Sequence, residues 1–246
     1  MAQGADAGRG RPAIVLFDLD GTLVSTAGAG RRAIELALAE RGARDCCRFS
    51  FAGMTDRAIV RRALLAAGLA ADEGAIDAVL DAYVEALRVE VARAGPDYRV
   101  HPGVIDALDA LAVRPGCQAV GLGTGNIREG ARIKLGRVGL FARFAFGGFG
   151  SDAEDRAEIL RIGAERGAAQ LGRPRERCRV VVVGDTPRDV AAARAIGARA
   201  LCVATGPCDR AELAASGPDH LFATLGEPGA IAALVREASA PTGGGI

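Results

Sequence analysis

Lysine is almost missing from this chain. Of 31 basic residues among 246, only Lys134 is not arginine. Beside abundant alanine and glycine, this reads as a chain-wide compositional bias, so arginine counts carry little functional weight. The one lysine that the bias spared draws attention for the same reason. Charge of either sign is not in excess, and the formal net charge is +1. That excludes the one-sided field of a nucleic-acid or membrane-surface protein, and neither partner is expected. No run of about eighteen apolar residues occurs, so no membrane span is expected. Met1 to Arg11 lacks the apolar core of a signal peptide and reads as a flexible tail, as does Ala240 to Ile246. The six cysteines lack C-x-x-C spacing, Cys46-Cys47 being adjacent and Cys202 and Cys208 wider apart. His101 and His220 stand alone, so zinc is not expected. Reduced structural thiols in a cytoplasmic protein are.

What is present is organised around Ala13 to Val24, AIVLFDLDGTLV. Ile14 to Phe17 and Leu19 read as a strand buried on both faces, stopping at Asp18 and Asp20, after which Gly21 and Thr22 turn the chain. From about 25 to 98 the pattern is helical without a good strand: Arg31–Arg41, a segment capped by Thr55-Asp56 and ended by Gly68, and a stripe from Ile76 to Leu87. His101-Pro102-Gly103 marks a return, followed by a helix from Val104 to Leu111. Further strands are expected at Cys117–Gly123, Phe144–Phe146, Val180–Val183, Arg199–Val203 and Leu221-Phe222. Helices are expected around Ala131–Val138, Asp152–Gly167 and Asp189–Ile196. Alternation of this kind predicts an α/β fold, a doubly wound, Rossmann-like parallel sheet.

Three of these buried strands end in polar residues: Asp18 and Asp20, Thr124, and Asp185. In a parallel sheet the three ends meet on one edge, around one crevice. Carboxylates from two strands suit a hard, oxygen-seeking cation, which points to Mg²⁺. The Thr124 hydroxyl and the backbone N–H groups of Gly125 and Asn126, at a helix start, suit a phosphate oxygen.

Phe17-Asp18-Leu19-Asp20-Gly21-Thr22, Gly123-Thr124-Gly125-Asn126 and Gly184-Asp185-Thr186-Pro187-Arg188-Asp189 resemble, in order, spacing and strand context, three signature motifs of the haloacid dehalogenase superfamily. The resemblance covers about residues 12 to 235. It implies a core formed by residues 12–24 and 100–236, with an all-helical cap (25–99) inserted after the first strand. It further implies that Asp18 is a nucleophile forming an aspartyl-phosphate and that Asp20 is the general acid and then the base. Thr124 would hold the transferring phosphoryl. Mg²⁺ would be bound by the Asp18 carboxylate, the Asp20 main-chain carbonyl and Asp185, with Asp189 in support.

One departure stands out. Family members often supply a cation from a Lys-Pro-x-Pro segment ahead of the Gly-Asp strand end, whereas this chain reads Gly150-Ser151-Asp152-Ala153-Glu154-Asp155-Arg156. Two candidates remain, Arg156 and Lys134. Lys134 lies on the helix after Thr124, with its side chain leaning back towards the site, and is slightly favoured. Gly53-Met54-Thr55-Asp56-Arg57 resembles a cap loop that enters the active site, which makes Thr55 and Arg57 candidate substrate contacts and Arg57 a clamp for an anionic group. Thr26, Gly28 and Arg31 lie near the expected hinge and are further candidates.

Asp20 argues against dehalogenation, and the absence of lysine from 25–98 against a Schiff-base phosphonatase. Gly121 to Asn126 lacks the third glycine of a dinucleotide fingerprint. The expectation is a Mg²⁺-dependent phosphatase for a small phosphorylated metabolite, resembling phosphoglycolate phosphatases, as monomer or homodimer. The runner-up is a sugar phosphomutase resembling β-phosphoglucomutase, and a binding module on the same fold is the remote third.

Overall fold

The computed structural model describes residues 11–113 and 118–239. Both expected tails fall outside that set, Arg11 excepted, as does Cys117. The strands are β1 (Ala13–Phe17), β2 (Val24–Thr26), β3 (Tyr98–Val100), β4 (Gln118–Thr124), β5 (Gly147–Phe149), β6 (Arg179–Gly184), β7 (Arg199–Val203) and β8 (His220–Phe222). The α-helices are α1 (Ala29–Glu40), α2 (Asp56–Ala66), α3 (Glu73–Arg93), α4 (Val104–Ala112), α5 (Arg128–Arg137), α6 (Arg156–Gln170), α7 (Pro187–Ala195), α8 (Arg210–Ser216) and α9 (Ala230–Ser239).

Six strands form one parallel sheet in the order β5-β4-β1-β6-β7-β8. β1 is central and wholly buried. Its side chains alternate between two apolar layers, as a period of two requires. Val15 and Phe17 pack with Leu108 of α4, Leu135 of α5 and Leu234 of α9. Ile14 and Leu16 pack with Leu160 of α6, Val190 of α7 and Leu213 of α8. Helices on both faces of a parallel sheet are the doubly wound arrangement read from the sequence.

A third apolar cluster lies apart from these two. It joins Ile34 and Leu38 of α1, Val60 and Leu64 of α2, and Val79, Tyr83 and Leu87 of α3. Two chain crossings connect this three-helix layer to the sheet. They run as an antiparallel ribbon, β2 against β3, in the register Val24↔Val100 and Thr26↔Tyr98. The reading of 25–98 as free of strands is therefore corrected at its two margins, where three-residue strands gain their regularity only from each other.

The strand expected at Phe144–Phe146 lies three residues later, at Gly147–Phe149. A Cβ on Gly148 would come within 1.9 Å of the Ile159 carbonyl oxygen on α6, so helix packing demands glycine in a place where propensity argues against a strand. The helix expected from Asp152 begins at Arg156, because Asp155 caps it by accepting from the Glu158 N–H at 2.9 Å. α8 and α9 were not anticipated from the sequence.

Candidate active site

The register puts Phe17 of β1 beside Leu122 of β4 and Val183 of β6, so Asp18, Thr124 and Asp185 emerge at the same sheet edge. Asp18, Asp185 and Asp189 are buried there, with one oxygen from each lying within 4.8 Å of the others. Burial, reinforced by Asp189, pushes the Asp18 carboxyl up to about 6, against the pull of Arg156. Asp185 is driven well upward by burial and by Asp189 and Asp18.

These residues fit a hard divalent cation. The donors are all oxygen, and Asp185 Oδ2 is buried without a hydrogen-bond partner among the described residues, while Oδ1 accepts from the Thr22 hydroxyl at 2.8 Å. A Cβ on Gly21 (φ +83°) or on Gly206 would come within 2.3 or 1.7 Å of that same Oδ2, so the cradle needs glycine on both walls. Three carboxylates against one guanidinium, Arg156, leave a formal charge of minus two. Asp189 is the most committed of the three. Its Oδ2 accepts from Thr186 N and Oγ1 at 3.0 and 2.7 Å, in a capping box at the start of α7, and its Oδ1 accepts from Arg156 Nε at 2.8 Å. The Asp20 carboxylate is not part of this cluster; its Oδ2 accepts from Lys134 and Asn126 instead.

The two candidate cations have separate partners. Arg156, in the first turn of α6, sets its Nη2 2.7 Å from Asp18 Oδ2 and also pairs with Asp189. Lys134, on α5, donates to Asp20 Oδ2 at 2.6 Å and to Asn126 Oδ1 at 2.6 Å. The sequence reading favoured Lys134 as the phosphate-site cation, but Arg156 is the residue on Asp18. The Thr124 hydroxyl hydrogen-bonds Asp18 and accepts from Asn126 Nδ2 at 3.0 Å.

A cavity of about 460 Å³ extends from these aspartates to the three-helix layer, a size that suits a small metabolite. Arg31, Phe51, Asp56 and Tyr83, from the helical layer, and His101, just after β3, are among its lining residues. Arg31 stacks 3.9 Å over the Phe51 ring and donates to the Cys47 and Phe49 carbonyls, so its guanidinium is held at the wall. Asp56 joins the layers: its N–H donates to the Gly125 carbonyl at 2.9 Å, and its Oδ2 accepts from the Ile127 N–H at 2.9 Å. Burial pushes its carboxyl up to about 6 in spite of nearby Lys134. The Tyr83 hydroxyl is buried with no hydrogen-bond partner among the described residues.

A model of the haloacid dehalogenase-like hydrolase family matches residues 12–197. The chain belongs to that family. A phosphoglycolate phosphatase of Synechococcus elongatus is 30% identical over 216 residues, covering 85% of this chain and 92% of the relative. Among solved structures, a hydrolase from Pseudomonas syringae superposes with a TM-score of 0.66 at 18% identity, covering 87% of this chain and 94% of that one. CbbY of Rhodobacter sphaeroides, solved with xylulose-1,5-bisphosphate, gives 0.62 at 20% identity, covering 89% and 96%. These two likenesses concern the fold alone.

Within this haloacid dehalogenase-like hydrolase, Asp18, Asp20, Thr124, Gly125, Asn126, Lys134, Arg156, Asp185 and Asp189 gather at one sheet edge. Two expected substrate contacts do not join them. Arg57 pairs with Asp77 at 2.7 Å and with Glu73, both on α3, and is not part of the cavity wall. The oppositely charged helix face beside it explains the correction. Thr55 spends its hydroxyl as the cap of α2, accepting from the Ala58 N–H at 3.2 Å. Thr26, Gly28 and Arg31 do line the cavity. Asp56 and Tyr83 were missed. Asp56 reads locally as a first-turn acid and Tyr83 as one position of an apolar stripe, and neither carries a sequence signal for what it meets across the cavity. Among the described residues, no helix is long and apolar enough to cross a membrane.

Proposed function

We propose that this hydrolase is a Mg²⁺-dependent phosphatase for a small phosphorylated metabolite, with residues 25–99 forming a cap over a core of 12–24 and 100–236. One observation carries the reading: the buried Asp18 carboxylate pairs with the Arg156 guanidinium, which also holds Asp189, and shares a cluster of three carboxylates with Asp185 and Asp189, with Asp20 held by Lys134 two residues on. Such a site draws in a phosphoryl group, whose oxygens need cationic partners, and presents a carboxylate to its phosphorus.

Asp18 attacks phosphorus, the ester P–O bond breaks, and Asp20 hands its proton to the departing oxygen. Water then attacks the aspartyl-phosphate, Asp20 takes the water proton, and Asp18 is released as carboxylate with inorganic phosphate. Arg156, the Thr124 hydroxyl and the N–H groups of Gly125 and Asn126 are assigned the phosphoryl oxygens. Mg²⁺ held by Asp18 and Asp185, with Asp189 in support, would supply charge neutralisation at those oxygens. The cap excludes bulk water while the acyl phosphate exists.

Kinship to a phosphoglycolate phosphatase supports a small, anionic ester as substrate. The free thiols of Cys46, Cys47, Cys178, Cys202 and Cys208 support a reducing compartment, the cytoplasm. The test is phosphate release from a panel of small esters that includes 2-phosphoglycolate, with Mg²⁺ and with chelator, beside Asp18→Asn. Metal-dependent release that the variant abolishes is the expected result. Accumulation of an isomeric sugar phosphate without net phosphate release would replace the phosphatase by a mutase, and silence in both assays would leave a binding protein.

A further inference from the structure

The single lysine of the chain is buried, 3% exposed, with its stem on α5 and its head at the base of the cavity. Its ammonium belongs to a closed ring of hydrogen bonds. Nζ donates to Asp20 Oδ2 and to Asn126 Oδ1, each at 2.6 Å, and Asn126 Nδ2 donates to the same Asp20 oxygen at 2.9 Å. Among the described residues, Asp20 Oδ1, by contrast, receives a single long bond of 3.3 Å, from the Thr26 hydroxyl, and the Asp20 side chain is 41% exposed, at the cavity.

We propose that Lys134 is a positioning residue that acts through Asp20, a different task from that of the cation on Asp18. Two donors tie Oδ2 in place and fix the carboxyl's rotamer, so that Oδ1 is the oxygen that carries the proton and faces the leaving group. The inference rests on the phosphatase reading above and divides the labour of its two cations. Arg156 serves the phosphoryl end, and Lys134 serves the leaving-group end.

The same geometry explains why lysine survives in an arginine-rich chain. A Cβ on Gly30 of α1 would lie 2.9 Å from Lys134 Nζ and 3.2 Å from Cε. The ammonium therefore fills a slot closed by backbone on the far side. A planar guanidinium is wider than an ammonium and needs room in its plane, so it does not fit there.

The experiment compares two esters with the Mg²⁺-loaded protein, following the first turnover by rapid mixing. An alkyl phosphate needs its departing oxygen protonated, whereas 4-nitrophenyl phosphate expels a stable phenolate without help. In Lys134→Met, first-turnover release from the alkyl ester is expected to fall by about a hundredfold or more, with the nitrophenolate burst staying within about threefold of wild type. Lys134→Arg is expected to behave like Lys134→Met and not to rescue. Gly30→Ala keeps the charge and suits the helix, yet pushes on the ammonium, so it should give the same ester-selective loss at smaller size even if Lys134→Met proves unstable.

An equal loss on both esters would overturn the proposal by assigning Lys134 to the phosphoryl group. Unchanged turnover on both would overturn it by making the lysine merely structural. A nitrophenolate burst that survives Asp18→Asn, or wild-type protein inert towards both esters, sinks the phosphatase reading itself and the role of Lys134 with it.

Discussion

Replacing Asp56 by asparagine should change how the folded protein responds to pH, and the size of the change follows from where the carboxyl sits. Asp56 is buried at the junction of α2 with the Gly125–Ile127 turn, and burial lifts it from 3.8 to about 6, net of the opposing pull of Lys134 and the Ile127 N–H. A carboxyl whose folded pKa lies above its unfolded one binds its proton more tightly when folded. Its contribution to stability is complete below about pH 4 and is lost as pH rises through about 6. A difference of about two units corresponds to about 3 kcal/mol. Asparagine keeps an oxygen for the Ile127 N–H and does not titrate. The stability of Asp56→Asn relative to wild type should therefore rise by about 3 kcal/mol between about pH 4 and about pH 8. Urea unfolding followed by circular dichroism, in chelator and at several pH values, reads this directly, with Asp18 and Asp185 common to both proteins. A difference that stays flat across that range, or falls, would refute the reasoning.

Three further outcomes are expected. Arg156→Met removes the cation from Asp18 and Asp189, and turnover should fall by about a thousandfold, read as kcat on the best ester; a loss of less than tenfold would place the phosphoryl cation elsewhere. Asp185→Asn should abolish the rise in melting temperature that Mg²⁺ gives the wild type, whereas a retained rise would move the ion away from the partnerless Oδ2. In Gly125→Ala the new Cβ would meet the Met54 carbonyl oxygen at 2.6 Å and Thr55 Cα at 2.9 Å, both backbone, so the two layers cannot seat. Faster protease cleavage of residues 50–56 and a raised KM are expected, and wild-type values for both would argue against this contact.

The central strands were legible because burial on both faces writes itself as an unbroken apolar run, as in Val180–Val183. β5 was read three residues early, since its strand is set by pairing with β4 and the approach of α6 demands glycine at 148, where propensity points elsewhere. The short β2 and β3 have no pattern of their own, because each is ordered by the other. At the site, Asp18, Asp20, Thr124 and Asp185 were legible, as strand ends in a parallel sheet meet at one edge, whereas Asp189 was legible only through the resemblance of its motif. The division between Arg156 and Lys134 was not. It depends on which carboxylate each long side chain reaches, and in an arginine-rich background nothing in the sequence sets Arg156 apart from its neighbours. Arg57 misled for the complementary reason: local motif context said nothing of Glu73 and Asp77 waiting on the neighbouring helix.

The ribbon of β2 and β3 has a consequence for how this chain came to be two layers. Because Thr26 and Tyr98 are paired, the chain leaves the sheet and returns to it through points about 5 Å apart. A gap that narrow is what a two-residue hairpin turn spans. Everything between them, α1 to α3 with their separate apolar cluster, is thus topologically an ornament on a hairpin, open to exchange for a shorter or different one without rethreading a single strand of the sheet.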